Sequence, residues 1–223
     1  MNCDSLATTY RWWEYISFGN QLQECRTACL DYAEDHQRAL ILGEGDGRFL
    51  QQLIARNPEI QVDCVDSSPA MIALAQARIL RTQPDHRVTF HQADAHSVAL
   101  PPQTYDLVVT HFFLDCFDAA ALQRLTKKIA NSLKPNAIWL LADFQIPPTG
   151  LARIRARLWL VFLYTFFALT TQLNTRQLHD PTQELGKNGL VCLKSVKTGW
   201  KLLKSEAWRL NSADSATPSP AQF

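Results

Sequence analysis

A chain of 223 residues, 47% hydrophobic and 19% charged, holds enough apolar material for one buried core with a small addition at most. The formal net charge of +1, with no long block of Lys or Arg, produces no strong positive field and argues against nucleic acid as a partner. Cys3, Cys25, Cys29, Cys64, Cys116 and Cys192 show no Cys-x-x-Cys spacing and lie mostly in apolar runs, so they read as reduced, buried thiols, and no metal site is expected.

The opening Met-Asn-Cys-Asp-Ser lacks a basic region followed by an apolar stretch, so no secretory signal is expected and the location reads as cytoplasmic. Tyr10, Trp12, Trp13, Tyr15 and Phe18 crowd the next segment. From Trp12 to Ala33 the pattern is helical, with Leu22, Cys25 and Cys29 on one stripe. Ala39 to Leu42 reads as a first strand. It runs into Gly43-Glu44-Gly45-Asp46-Gly47, where three glycines at alternate positions permit a tight turn and close approach to a ligand, since none carries a Cβ.

A helix with Phe49, Leu50, Leu53 and Ile54 follows and stops at Asn57-Pro58. The second strand, Ile60 to Val65, ends in Asp66. A glycine turn after one strand and a carboxylate at the tip of the next form the nucleoside-binding arrangement of a doubly wound sheet, in which the acid takes the ribose hydroxyls. Ser67 or Ser68 caps a helix that Pro69 opens, with Ile72, Ala75 and Ile79 facing inward.

Val88 to His91 is a short third strand, and Tyr105 to Phe113 is a strongly apolar fourth, suited to burial on both faces. Asp118 begins a helix with Leu122, Leu125, Ile129 and Leu133 in register, which Lys134-Pro135-Asn136 ends. Ile138 to Phe144 is the fifth strand. Leu158 to Leu169 is a twelve-residue run without charge, preceded by Arg153, Arg155 and Arg157, within a helical insertion over 151–180. It falls short of the ~20 apolar residues of a spanning helix, so it reads as core, as a wall of a lipophilic pocket, or as a helix lying on a bilayer. Val191 to Val196 and Trp200 to Leu210 read as two strands joined through Lys197-Thr198-Gly199, and 211–223, rich in Ser, Ala and Pro, reads as a disordered tail. The alternation predicts an α/β, Rossmann-like doubly wound sheet, mostly parallel, with a C-terminal antiparallel hairpin.

Gly43-Glu44-Gly45-Asp46-Gly47, Val65-Asp66-Ser67-Ser68-Pro69-Ala70-Met71, Ala93-Asp94-Ala95 and Tyr105-Asp106-Leu107-Val108-Val109 resemble the successive motifs of class I S-adenosylmethionine-dependent methyltransferases. Tyr10 with Ser17-Phe18-Gly19 is similar to the opening of those that act on ubiquinone and menaquinone precursors. The resemblance implies that S-adenosyl-L-methionine is the cofactor and that residues 1–38 form an arm over its cleft, ahead of a methyltransferase domain over 39–210. It implies that Gly43, Gly45 and Gly47 line the methionine half, that Asp66 accepts from the ribose diol, and that Asp94 with the Ala95 backbone receives the adenine amino group. Met71 would pack on the adenine face, and Tyr10, Glu44, Ser67 and His111 complete the cofactor set. A nicotinamide fingerprint would need glycine at Arg48.

Two positions depart from the pattern. Ile41 stands where an acid usually lies two residues before the first glycine, and Asn136-Ala137 stand where two glycines are usual. Glu44 and Asp46 either compensate for Ile41 by facing the ligand or are solvated loop acids.

Thr110-His111-Phe112-Phe113-Leu114-Asp115-Cys116-Phe117 leaves the fourth strand at the sheet's carboxyl edge, where ligands bind in this architecture. His111 has a pKa suited to removing a proton from an acceptor, with Asp115 to orient it or act itself; otherwise the pair is a packed histidine and the start of a helix. Cys116 reads as a core residue. The expected function is methylation of a small, lipophilic or aromatic acceptor at O, N or C. A macromolecular (RNA or protein) acceptor, or a non-catalytic cofactor-binding subunit that Ile41 makes conceivable, are the alternatives. Peripheral membrane contact and oligomeric state stay open.

Overall fold

The computed structural model describes residues 20–145, 179–199 and 202–211. The aromatic segment Tyr10 to Phe18, most of the 151–180 insertion and all but Asn211 of the expected tail lie outside them. Within them the chain builds one seven-stranded sheet in the order β3-β2-β1-β4-β5-β7-β6. The five strands β1 (Arg38–Leu42), β2 (Gln61–Asp66), β3 (Val88–Gln92), β4 (Tyr105–His111) and β5 (Leu133–Phe144) are mutually parallel, and β7 (Leu203–Leu210) runs antiparallel between β5 and β6 (Leu190–Thr198). This is the α/β doubly wound sheet with the expected antiparallel hairpin.

Strand order follows from composition. β1 buries Ala39, Leu40, Ile41 and Leu42, and β4 buries every residue but Asp106, so these apolar runs take the centre, where both faces are covered. Cys29, Ile41, Phe49, Leu53 and Val109 pack on one face; Leu40, Leu42, Val108, Leu125 and Trp139 pack on the other. Each such buried side chain contributes roughly 1.5–3 kcal/mol from removal of apolar surface from water.

Helices cover both faces. α1 (Gln21–Thr27) is followed by a separate 3-10 turn at Leu30–Ala33, so the expected single helix through Ala33 breaks at Ala28 and Cys29; the Thr27 hydroxyl bonds back to the Gln23 and Glu24 carbonyls, closing the last turn. α2 (Arg48–Arg56) buries Phe49, Leu50, Leu53 and Ile54 as expected. α3 (Pro69–Thr82) is capped by Ser68, whose hydroxyl accepts from the Met71 N–H at 3.2 Å, and its buried stripe is Met71, Ala75 and Ile79. Ile72, expected inward, is half-buried, because a spacing of four residues places Met71 on the core side and Ile72 beside it.

α4 (Ala119–Ser132) is capped by Asp118, and β5 follows directly. β5 starts five residues earlier than Ile138, taking in Lys134-Pro135-Asn136, because Asn136 turns at φ +63° and a bulge against β4 absorbs the shift. After the short α5 (Thr182–Lys187) comes the hairpin, whose second strand begins at Leu203 instead of Trp200. Among the described residues no disulfide forms; Cys25, Cys29 and Cys64 are buried, but Cys116 is half-buried and Cys192 is exposed on the edge strand β6, contrary to the expectation for both.

Candidate functional site

The carboxyl ends of β1, β2, β3 and β4 point the same way, which brings four connecting loops to one edge of the sheet. In the first loop Gly43, Gly45 and Gly47 all adopt left-handed backbone, at φ +70°, +74° and +83°. Residues with a Cβ are strained there, so the alternation of glycines is a conformational requirement. Gly47 also approaches α3 closely: a Cβ on it would lie 2.9 Å from the Ala75 Cα.

Asp66 ties the first two loops together. One carboxylate oxygen accepts from the Ser68 N–H at 2.9 Å and the other from the Gly45 N–H at 3.3 Å. The Ser67 N–H also bonds to this carboxylate, whose remaining acceptor capacity suits a diol, and burial raises its pKa. Ser67 is exposed beside it, and Met71 is buried at the first turn of α3.

Glu44 and Asp46 do neither of the things expected of them. One oxygen of Glu44 accepts from the N–H groups of Phe49 and Leu50 at 3.0 and 2.9 Å, so this side chain caps α2, whose own N-cap position, Gly47, has no side chain to do so. Burial pushes its carboxyl up to about 7. Asp46 turns away from the loop's open side to pair with Arg48 and Arg78, both at 2.9 Å.

After β3, the Asp94 carboxylate accepts from the His96 N–H at 2.7 Å in a tight turn, and Lys128 holds the carbonyls of Ala95 and His96. From this turn an aromatic row crosses to the glycine loop. His96 meets Phe117 edge-on at 4.9 Å between centroids, Phe117 meets Phe113 at 5.1 Å, and Phe113 lies against Gly43. Sequence reasoning missed this row, although its signal was present in the Phe112-Phe113 pair and Phe117, treated there only as carriers of His111 and Asp115.

The turn off β4 is strained. Phe112 sits at φ +52°, an outlier for a bulky residue, and its N–H bonds to the Ala142 carbonyl at 2.6 Å. His111, just before it, is buried on the α2 face of the sheet, edge-on to Phe49 at 4.5 Å, with no hydrogen-bond partner at Nδ1. Burial, aided by the positive charge of Arg26, pushes its pKa down to about 3. Both effects favour the neutral imidazole. Arg26, on α1, stacks its guanidinium 5.1 Å from the Phe112 ring centroid.

Asp115 neither orients His111 nor begins a helix. It lies buried in a 3-10 turn, Leu114–Cys116, three residues ahead of the α4 cap. There it meets Asp143, near the carboxyl end of β5, a residue sequence reasoning did not select. Tyr10 lies outside the described residues, and among those residues no group of His, Cys, Asp and Glu is arranged to hold a metal. No helix among them is long and apolar enough to cross a membrane.

Residues 39–136 match a family described as a methyltransferase domain. No curated protein matches the chain. Among solved structures, a possible exported protein from Bordetella parapertussis is 19% identical with a TM-score of 0.65, covering 88% of this chain and 69% of its own. An O-methyltransferase family protein from Burkholderia thailandensis is 18% identical with a TM-score of 0.64, covering 94% of this chain, which spans only 62% of it. An S-adenosylmethionine dependent methyltransferase from Mesorhizobium loti is 17% identical with a TM-score of 0.63, covering 84% of this chain and 99% of its own. At these identities the likenesses show the fold, and the family match gives a likeness over residues 39–136. The segment 39–136 is thus similar to a methyltransferase domain, carried on a fold shared with methyltransferases of known structure.

Proposed function

We propose that this chain transfers the methyl group of S-adenosyl-L-methionine to a small, lipophilic or aromatic acceptor. The observation that carries the reading is the bridge from Asp66 to Gly45, which holds a carboxylate with spare lone pairs beside three left-handed glycines. On this reading Gly43, Gly45 and Gly47 line the methionine half, and Asp66 with Ser67 takes the ribose hydroxyls. Asp94 and the Ala95 backbone receive the adenine amino group, with Met71 and the Phe113–Phe117 row packing on the ring. Glu44 acts from behind, by fixing the start of α2. Tyr10 belongs to the cofactor set on the same reading.

The cofactor supplies an electrophilic methyl on a sulfonium, and in-line displacement asks the protein for alignment and exclusion of water. Phe112 and Phe144, paired at 5.2 Å between centroids at the carboxyl ends of β4 and β5, suit an apolar acceptor. Asp115 and His111 are the groups placed to take a proton, with burial favouring the neutral imidazole of His111. A cytoplasmic setting, expected from the reduced thiols, belongs to the same proposal.

Calorimetry with S-adenosylhomocysteine tests the site, and transfer from methyl-labelled cofactor to small-molecule extracts, set against RNA and protein, tests the acceptor. Saturable binding with label in the small-molecule fraction is expected. Label on RNA or protein alone, or binding without transfer in a chain stably associated with another, would overturn the acceptor reading.

A further inference from the structure

Three of the five residues in loop 43–47 have no side chain, and all three adopt left-handed backbone. Glycine loses more conformational freedom on ordering than any other residue, so such a loop does not hold its own shape. The two remaining side chains must do so. Glu44 ties the loop to α2 through the N–H groups of Phe49 and Leu50. Asp46 ties it to α3, and the cofactor reading leaves that second tie unused.

Asp46 stands between Gly45 and Gly47, at φ +74° and +83°. Arg78, on the third turn of α3, grips it at two points: its Nε donates to the Asp46 carbonyl at 2.8 Å and its Nη2 to the carboxylate at 2.9 Å. One planar guanidinium thus fixes both the backbone and the side chain of a single loop residue. Arg48, from the first turn of α2, donates through Nε to both oxygens of the same carboxylate, at 3.1 and 2.9 Å. The side chains of Asp46 and Arg78 keep 19% and 25% of their surface, so water and salt screen them less than an exposed ion pair. Ala75, one turn before Arg78, is the residue against which Gly47 packs. The same helix begins beside Asp66, whose carboxylate holds the Ser68 N–H and reaches back to the Gly45 N–H. These contacts close a ring: the loop meets α3 at Ala75 and Arg78, α3 leads back to Asp66, and Asp66 returns to Gly45.

We infer that Arg78 and Asp46 clamp the glycine loop in the shape that receives a ligand, and that Arg78 is a positioning residue for the methionine half of the cofactor, acting through Asp46 on Gly45 and Gly47. This rests on the methyltransferase reading above, in which those glycines line that half. Asp46 turns away from the open side of the loop, so the clamp works from behind. Ordering the glycines before the ligand arrives removes that cost from binding. The adenosine half, assigned to Asp66, Asp94 and Met71, draws on the loop only through Gly45. Loosening the clamp therefore weakens a ligand that carries the amino-acid half and spares one that lacks it.

The test compares wild type with Arg78→Gln in the full chain. S-adenosylhomocysteine affinity should fall about fivefold to tenfold, whereas adenosine, which lacks the amino-acid half, should stay within about twofold. In the ligand-free protein, hydrogen exchange at the Gly45 N–H should quicken about tenfold, while exchange at the Ser68 N–H, on the other oxygen of Asp66, should hold. A general loss of stability would move both ligands alike and both amides alike. Unchanged S-adenosylhomocysteine affinity, equal losses for the two ligands, or parallel changes at Gly45 and Ser68 would each overturn the clamp. Should Arg78→Gln not fold, Arg78→Lys, which keeps the charge but not the fork, carries the same comparisons with a smaller loss of about threefold. Failure of S-adenosylhomocysteine to bind the wild type would instead overturn the cofactor reading, and exchange at Gly45 against Ser68 would still decide the clamp.

Discussion

A β-carbon placed on Gly43 would stand 2.4 Å from Cδ2 of Phe113, so the first glycine of the loop and the second aromatic residue beyond β4 share one packing site. Gly43→Ala therefore carries two costs, the left-handed φ of +70° and displacement of the ring. Together these should destabilise the protein by roughly 1–3 kcal/mol in urea denaturation. Gly45→Ala isolates the backbone part, because a Cβ there meets nothing within 4 Å, and should cost about 1 kcal/mol. Adding Phe113→Ala to Gly43→Ala should recover the steric part only. Equal losses at Gly43 and Gly45 would show that Phe113 yields freely.

Asp66→Ala removes the acceptor of the Gly45, Ser67 and Ser68 N–H groups as well as the proposed acceptor of the ribose diol. S-adenosylhomocysteine affinity should fall by about 1–3 kcal/mol, and calorimetry showing unchanged affinity would reject the assignment. Asp94→Ala loses the turn to the His96 N–H and an attraction to Lys128 within the protein. Its affinity loss, measured the same way, reports the adenine contact separately.

The glycine loop, Asp66, and the helices on either side were legible because each depends on residues within one turn or one strand of one another. Ser68 and Pro69 announce α3, and Phe49, Leu50, Leu53 and Ile54 announce the buried side of α2. What escaped is non-local. Asp143 meets Asp115 only through the pairing of β4 with β5, and faces Lys204 only through an antiparallel register 61 positions apart in sequence. His111 has an ordinary titration as a residue type and an unusual one under burial beside Arg26, a fact of packing that no spacing encodes. Glu44 was visible as a loop acid, but the cap it forms depends on the loop folding back over the first turn of α2.

Stability should respond to pH in two opposed ways. His111 is held near 3 in the folded chain against an unfolded value of 6.5, so between these values the unfolded state binds the proton the native state refuses. Stability is lost as pH falls through that window, by up to about 1.4 kcal/mol per unit. Glu44 is raised to about 7 from 4.5, so the native state keeps a proton the unfolded state has released, and stability is lost as pH rises through that interval. His111→Leu should flatten the acid limb of urea midpoints measured from pH 4 to 8, and Glu44→Gln should flatten the fall toward neutrality. Unchanged pH profiles in both variants would mean that neither group is perturbed.

Asn136 tests the departure from the usual glycine pair at a position remote from the chemistry. It adopts φ +63° near the start of β5, at the end of the sheet opposite the glycine loop. Asparagine is among the few non-glycine residues that enter this region at modest cost, since its short amide bonds to nearby backbone. Replacement by alanine keeps the strain and loses that compensation, so Asn136→Ala should destabilise by about 1 kcal/mol. Asn136→Gly removes the strain but loosens the unfolded chain, two effects of similar size, and should fall within about 1 kcal/mol of wild type. Both variants should bind S-adenosylhomocysteine with wild-type affinity. A loss of affinity in Asn136→Ala without loss of stability would place this turn in communication with the cofactor edge, contrary to its position in the sheet.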